Sequence, residues 1–148
     1  MNASNAIICA MDWAPLQTAP LAIRIHFATV MPAFLLGLWL LLLSLKGSTA
    51  HRSAGVLYLA LMYATAISAL FIPNAVGPGL QVGPLRFGFI HLFIVLTTFG
   101  LARAMLAIRR GDVQQHGKSM RGVYVGGLLI AGLFTLAPGR ILYRVLFG

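Results

Sequence analysis

Acidic side chains are almost missing from this chain. Asp12 and Asp112 are the only two carboxylates among its 148 residues. That excludes a carboxylate-bridged di-metal centre in a helical bundle, and it excludes hydrolysis by paired carboxylates. Cysteine is as scarce: Cys9 stands alone, without a partner for an internal disulfide or a CxxC neighbour. Only 9% of the residues are charged, against roughly a quarter in a soluble domain, and the mean hydropathy is +0.91. Most of this surface is therefore solvated by lipid. The apolar runs also lack the period-2 alternation of a membrane β-barrel strand.

Long apolar runs take the place of charge. They predict helices over approximately 20–45, 54–72, 85–108 and 113–137, the last becoming apolar at Gly122 and followed by a C-terminal segment, 138–148. Each core is near the ~20 residues a membrane-spanning helix needs. The expectation is an all-α integral membrane protein with four transmembrane helices in an up-down bundle over 20–148. Residues 1–19 contain no Lys or Arg, unlike the positive opening of a secretory signal. They are expected to form a short extracytoplasmic tail, held at the interface by Trp13.

Local signals punctuate these runs. Pro32 is expected to bend the first helix, and 46–50 (KGSTA) to make a tight turn. The Pro- and Gly-rich stretch 73–84 reads as an irregular outer loop. Gly111 suits the end of the third helix and Asp112 the N-cap of the fourth, which opens as an amphipathic VQQHGKSMR. Small residues at Gly122 and Gly126, and at Gly127 and Ala131, allow close helix approach in lipid.

The net charge of +9 would suggest nucleic acid in a soluble chain, but its distribution argues against that partner. Lys46, Arg52, Arg103, Arg109, Arg110, Lys118 and Arg121 flank the first and third connections, while Arg24, Arg86, Arg140 and Arg144 lie toward the other side. Seven against four puts the first and third connections in the cytoplasm. Both termini are then extracytoplasmic, in a bacterial inner membrane, and the basic residues meet anionic lipid headgroups.

Four histidines remain, at 26, 51, 91 and 116. His26 to His91 and His51 to His116 are both intervals of 65 residues, and each half has an internal spacing of 25. This pattern reads as a duplicated helical hairpin, with one histidine near each membrane face. The second half is one residue longer between histidine and tyrosine: seven residues from His51 to Tyr58, eight from His116 to Tyr124. Helical phase places His26, Thr29, Ala33 and Gly37 on one face, and His91, Thr98 and Ala102 on another. The other two stripes are His51, Gly55, Tyr58, Met62 and His116, Met120, Tyr124 (or Val123), Gly127.

Two neutral imidazoles facing each other across a bundle suit the axial positions of haem b. His26 and His91 are the expected outer pair and His51 and His116 the inner pair, for one or two haems. Arg24, Arg86 and Arg140 are candidate propionate partners. Imidazole also serves other metals, and each histidine taken singly reads as structural, bonded to Thr29, Thr98 or a carbonyl, or as a contact to lipid phosphate. The leading expectation is a haem-b membrane protein serving electron transfer or a respiratory or redox complex. The alternatives are a non-haem accessory or assembly subunit, and a small oligomeric transporter or channel with His91 titrating in its pore.

HisArg at 51–52, ArgArgGlyAsp at 109–112, His116, MetArg at 120–121 and ProGlyArg at 138–140 carry a family resemblance. With these motifs the chain resembles the bacterial predicted-membrane-protein family called domain of unknown function 2306, from about Pro20 to Gly148. RRGDVQQHGKSMRGVY is the most specific stretch. One departure is Gly117, where the family often has arginine. The resemblance implies a four-helix integral membrane protein and brings no established activity with it.

Overall fold

The computed structural model describes residues 12–72, 79–82, 85–88 and 91–147. Most of the predicted tail, much of the loop after the second helix, and Cys9 lie outside the described residues.

Three helices are long and apolar enough to cross a membrane: α2 (Leu21–Leu42), α3 (Thr49–Leu70) and α4 (His91–Arg109). A 22-residue helix is about 33 Å long at helical rise, matching a hydrocarbon core of ~30 Å. Pro32 lies inside α2 without ending it, leaving the carbonyl of Ala28 without its usual intrahelical donor. The helix stops where Lys46 folds back. Its Nζ donates to the carbonyls of Leu40, Leu41 and Ser44, and Gly47 follows in the left-handed region at φ 80°. Ser48 then N-caps α3 by accepting from the His51 amide at 3.1 Å. This cap starts the second helix five residues before the expected Ala54, and so brings His51 and Arg52 into its first turn.

The third helix differs from expectation at its start. Residues 85–88 do not open a helix; they form strand β2 (Leu85–Gly88), antiparallel to β1 (Gly79–Val82). Leu80 pairs with Phe87 and Gln81 with Arg86. Gly and Pro break helix periodicity here, and the extended backbone satisfies its polar groups in a hairpin instead. His91, expected about six residues inside the helix at the depth of His26, is therefore the first residue of α4.

Gly111, at φ 78°, ends α4 as its sequence signal predicts. Asp112 caps the next helix, its Oδ1 accepting from the Gln115 amide at 2.8 Å. The fourth predicted element is helical but broken. Helix α5 (Val113–Val123) passes into a π-helical segment, Tyr124–Ile130, and then into α6 (Ala131–Phe134). A short α1 (Ala14–Gln17) packs against α7 (Ile141–Phe147) near the chain ends.

Neighbouring elements close a ring. Helix α2 packs on α3, α3 on α4 and α4 on α5, and the π-helical segment returns to α2. Ala33, Leu40, Tyr58, Met62, Leu101, Val123, Tyr124 and Leu128 form the core. At most 28% of the most apolar window of any of the three long helices is buried within the chain. Leu35, Leu42, Val56, Val95 and Phe99 are among the large apolar side chains facing outward, as a membrane solvent requires.

Candidate functional site: four histidines and their partners

His26 lies six residues into α2, half-buried against α3. Its Nδ1 is 3.0 Å from the Thr65 carbonyl, with Ser68 Oγ at 3.4 Å. A carbonyl only accepts, so Nδ1 carries the proton and the neutral ring keeps its lone pair at Nε2. The surrounding shell is polar: Thr65 Oγ1 donates to Thr29 Oγ1 at 2.9 Å, and Ser68 Oγ donates to the Thr65 carbonyl at 2.9 Å. The structural reading of His26, a bond to a carbonyl, is thus present in the molecule.

His51 meets a hydroxyl instead of a carbonyl: its Nδ1 is 2.8 Å from Ser44 Oγ. Ser44 Oγ is also 2.8 Å from the Leu40 carbonyl, which accepts from Lys46 Nζ as well. A hydroxyl both donates and accepts, so this bond does not assign the ring's tautomer. His116 repeats the pattern of His26, its Nδ1 donating to the Ala104 carbonyl of α4 at 3.0 Å.

His91 is reversed. The Gly88 amide donates to His91 Nδ1 at 3.1 Å, so the neutral ring carries its proton at Nε2. It is also the most buried of the four, at 8% exposure.

These bonds fix where each ring belongs. His26 and His51 tie the first two long helices together, and His116 ties α5 to α4. His51 lies within Coulombic reach of both Lys46 and His116, so the inner pair lies at the same end of the bundle. A Cβ added at Gly55, one turn along from His51, meets nothing within 4 Å. Among the described residues, no three His, Cys, Asp or Glu side chains converge.

The arginines do not form one set. Arg24 is exposed beside Leu21 and Ile25. Arg140 buries its Nε with no acceptor among the described residues. The side chain of Arg86 lies outside the described part of the structure.

Two features escaped the sequence reading. The buried face of α4 runs through Thr97 and Leu101, both buried, whereas Thr98 is exposed. The core also holds a tyrosine knot around Gly37, where a Cβ would stand 2.7 Å from Tyr58 Cε2 and 2.8 Å from Tyr124 Cδ2. Tyr124 stacks on Phe34 and donates to its carbonyl at 3.3 Å. The Tyr58 hydroxyl is buried without a partner among the described residues. The seven-residue repeat Gly37, Ser44 and His51, Tyr58, Thr65 was visible, but nothing in it separates a packing stripe from a line of polar contacts.

A family model described as "Predicted membrane protein (DUF2306)" matches residues 23–144. The chain belongs to this family. The match spans all four histidines together with Arg24, Arg86 and Arg140, so every candidate site residue lies inside the DUF2306 region. No curated protein and no solved structure matches the chain. The DUF2306 assignment agrees with the three apolar helices in making this a membrane protein, and its function is unknown.

Proposed function

We propose that this DUF2306 protein binds haem b through paired histidines and serves electron transfer, alone or as part of a respiratory or redox complex. The observation that carries the reading is the Nδ1–carbonyl bond of His26 and of His116. A histidine that ligates iron through Nε2 donates its Nδ1 proton to a fixed acceptor, which orients the ring and raises its basicity. These two rings already do so, and His51 has a hydroxyl at the same atom. The inner pair, His51 and His116, lies at one end of the bundle within Coulombic reach of each other, so it is the first site to fill. An outer haem on His26 and His91 requires the Gly88–His91 bond to open, with Arg24, Arg86 and Arg140 as propionate partners.

In this reading the chain crosses the bacterial inner membrane four times, the fourth crossing being the broken helical run 113–134. Its amphipathic opening, 113–121, stays at the cytoplasmic face with Lys118 and Arg121, and the apolar part begins at Gly122. The duplication is read with one extra residue between His116 and Tyr124. With that shift Tyr58 matches Tyr124 and Met62 matches Leu128, and all four are buried.

The test is the visible absorption spectrum of detergent-purified protein, oxidised and dithionite-reduced, after expression with ample haem. The expected result is a sharp Soret band and a reduced α-band, lost in His51→Ala and in His116→Ala while His91→Ala retains most of the signal. A featureless spectrum at full haem supply overturns the haem reading.

A further inference from the structure

We infer that the groove between α4 and the start of α5 is a binding site for a single anionic phospholipid. The reversal at Gly111 and Asp112 turns the chain back along α4 and leaves a notch of about 350 Å³, within the range of ligand clefts. Phe99, Ala102 and Leu106 make its wall apolar; Arg103, Arg110 and Asp112 stand at its rim. Phe99 and Leu106 are 65% and 50% exposed, and so are open to an acyl chain.

The charge is what selects the lipid. Arg103 and Arg110 lie seven residues apart, two turns, on one side of the helix end. Neither guanidinium has a hydrogen-bond or ion-pair partner among the described residues. The groove's single carboxylate, Asp112, is engaged with the Gln115 amide. A chain with two carboxylates holds no counter-charge to spare for an arginine at membrane depth, and such a side chain reaches for the headgroup layer. A phosphodiester there meets both guanidiniums while its acyl chain lies along Phe99 and Leu106. The inference is independent of the histidine reading.

Native mass spectrometry of the full chain in detergent, with added phosphatidylglycerol or phosphatidylcholine, tests it. A one-to-one adduct favouring phosphatidylglycerol by about thirtyfold is expected, since two basic residues near a lipid surface each contribute on the order of 1 kcal/mol. The preference is expected to vanish in Arg103→Gln/Arg110→Gln, and to persist in Arg52→Gln/Arg121→Gln, which removes the same charge elsewhere. Both variants are first shown to elute as single species with wild-type unfolding midpoints in phosphatidylcholine. Equal loss in the two variants would mean diffuse charge, and no preference in the wild type would mean no site; either overturns the proposal. So does displacement of the adduct by millimolar inorganic phosphate, which would mark a site for the free anion.

Discussion

At Gly37 an absent side chain lets two tyrosine rings meet. Ala33, Gly37 and Leu40 bring α2 against Tyr58 and Tyr124, and there is no room for a methyl group between those rings. Gly37→Ala is therefore expected to destabilise the protein by about 1–3 kcal/mol, the usual cost of overpacking a core, read as a lower unfolding midpoint in detergent. Tyr58→Phe tests the other side of the knot. A buried hydroxyl without a partner carries a desolvation cost of about 1–3 kcal/mol, so its removal is expected to leave the midpoint unchanged or raise it. A clear fall would show that the hydroxyl holds a bound water or ligand. At this scale the stripe His51, Gly55, Tyr58, Met62 was legible, because helical spacing states which side chains share a face. The acceptors of His26 and His116 were not. They are backbone carbonyls, which every residue has, and no residue type announces which one a ring will meet.

The elements of the second half are joined by close approach rather than by bulk. A Cβ at Gly127 would stand 2.5 Å from Thr97 Oγ1, and one at Gly100 would stand 2.6 Å from Val123 Cγ2. The small residues at Gly127 and Ala131 were readable as a means of approach; the partner was not, since GxxxG spacing does not name the facing helix. Gly127→Ala is expected to lower the unfolding midpoint, and Thr97→Ala, which removes the two nearest atoms, to restore most of it. In a double-mutant cycle the two changes should therefore be strongly non-additive; simple additivity would show that the contact is relieved by shifting the helix. Element ends followed their signals at Asp112 and Gly111. The start of α3 was missed because its cap, Ser48, stands in a polar turn ahead of the apolar run, and the start of α4 because two structures competed for one apolar stretch. Residues 85–88 look like the front of a helix by hydropathy alone, and only the hairpin pairing with 79–82, which hydropathy does not register, makes them a strand.

For the whole molecule the distribution of charge makes the decisive prediction. The two connections on the side of Lys46 and Arg109 hold seven basic residues and the opposite side four, and the positive-inside bias acts on short loops close to helix ends. The proposed orientation therefore puts Ser48 and Arg110 in the cytoplasm and the N-terminus outside. Cys9, the chain's only thiol, reports on this directly. A membrane-impermeant maleimide added to intact spheroplasts is expected to label Cys9. In a Cys9→Ser background, a thiol introduced as Thr49→Cys should stay unlabelled until the membrane is permeabilised. The reverse pattern would invert the molecule, carrying the His51–His116 pair and the arginine-rimmed groove to the outer leaflet. Labelling of both positions without permeabilisation would mean that seven against four is too small a bias to fix one orientation. Adding Lys residues to the Lys46–Ser48 turn should then restore single-sided labelling, because the bias is set by positive charge beside the helix ends.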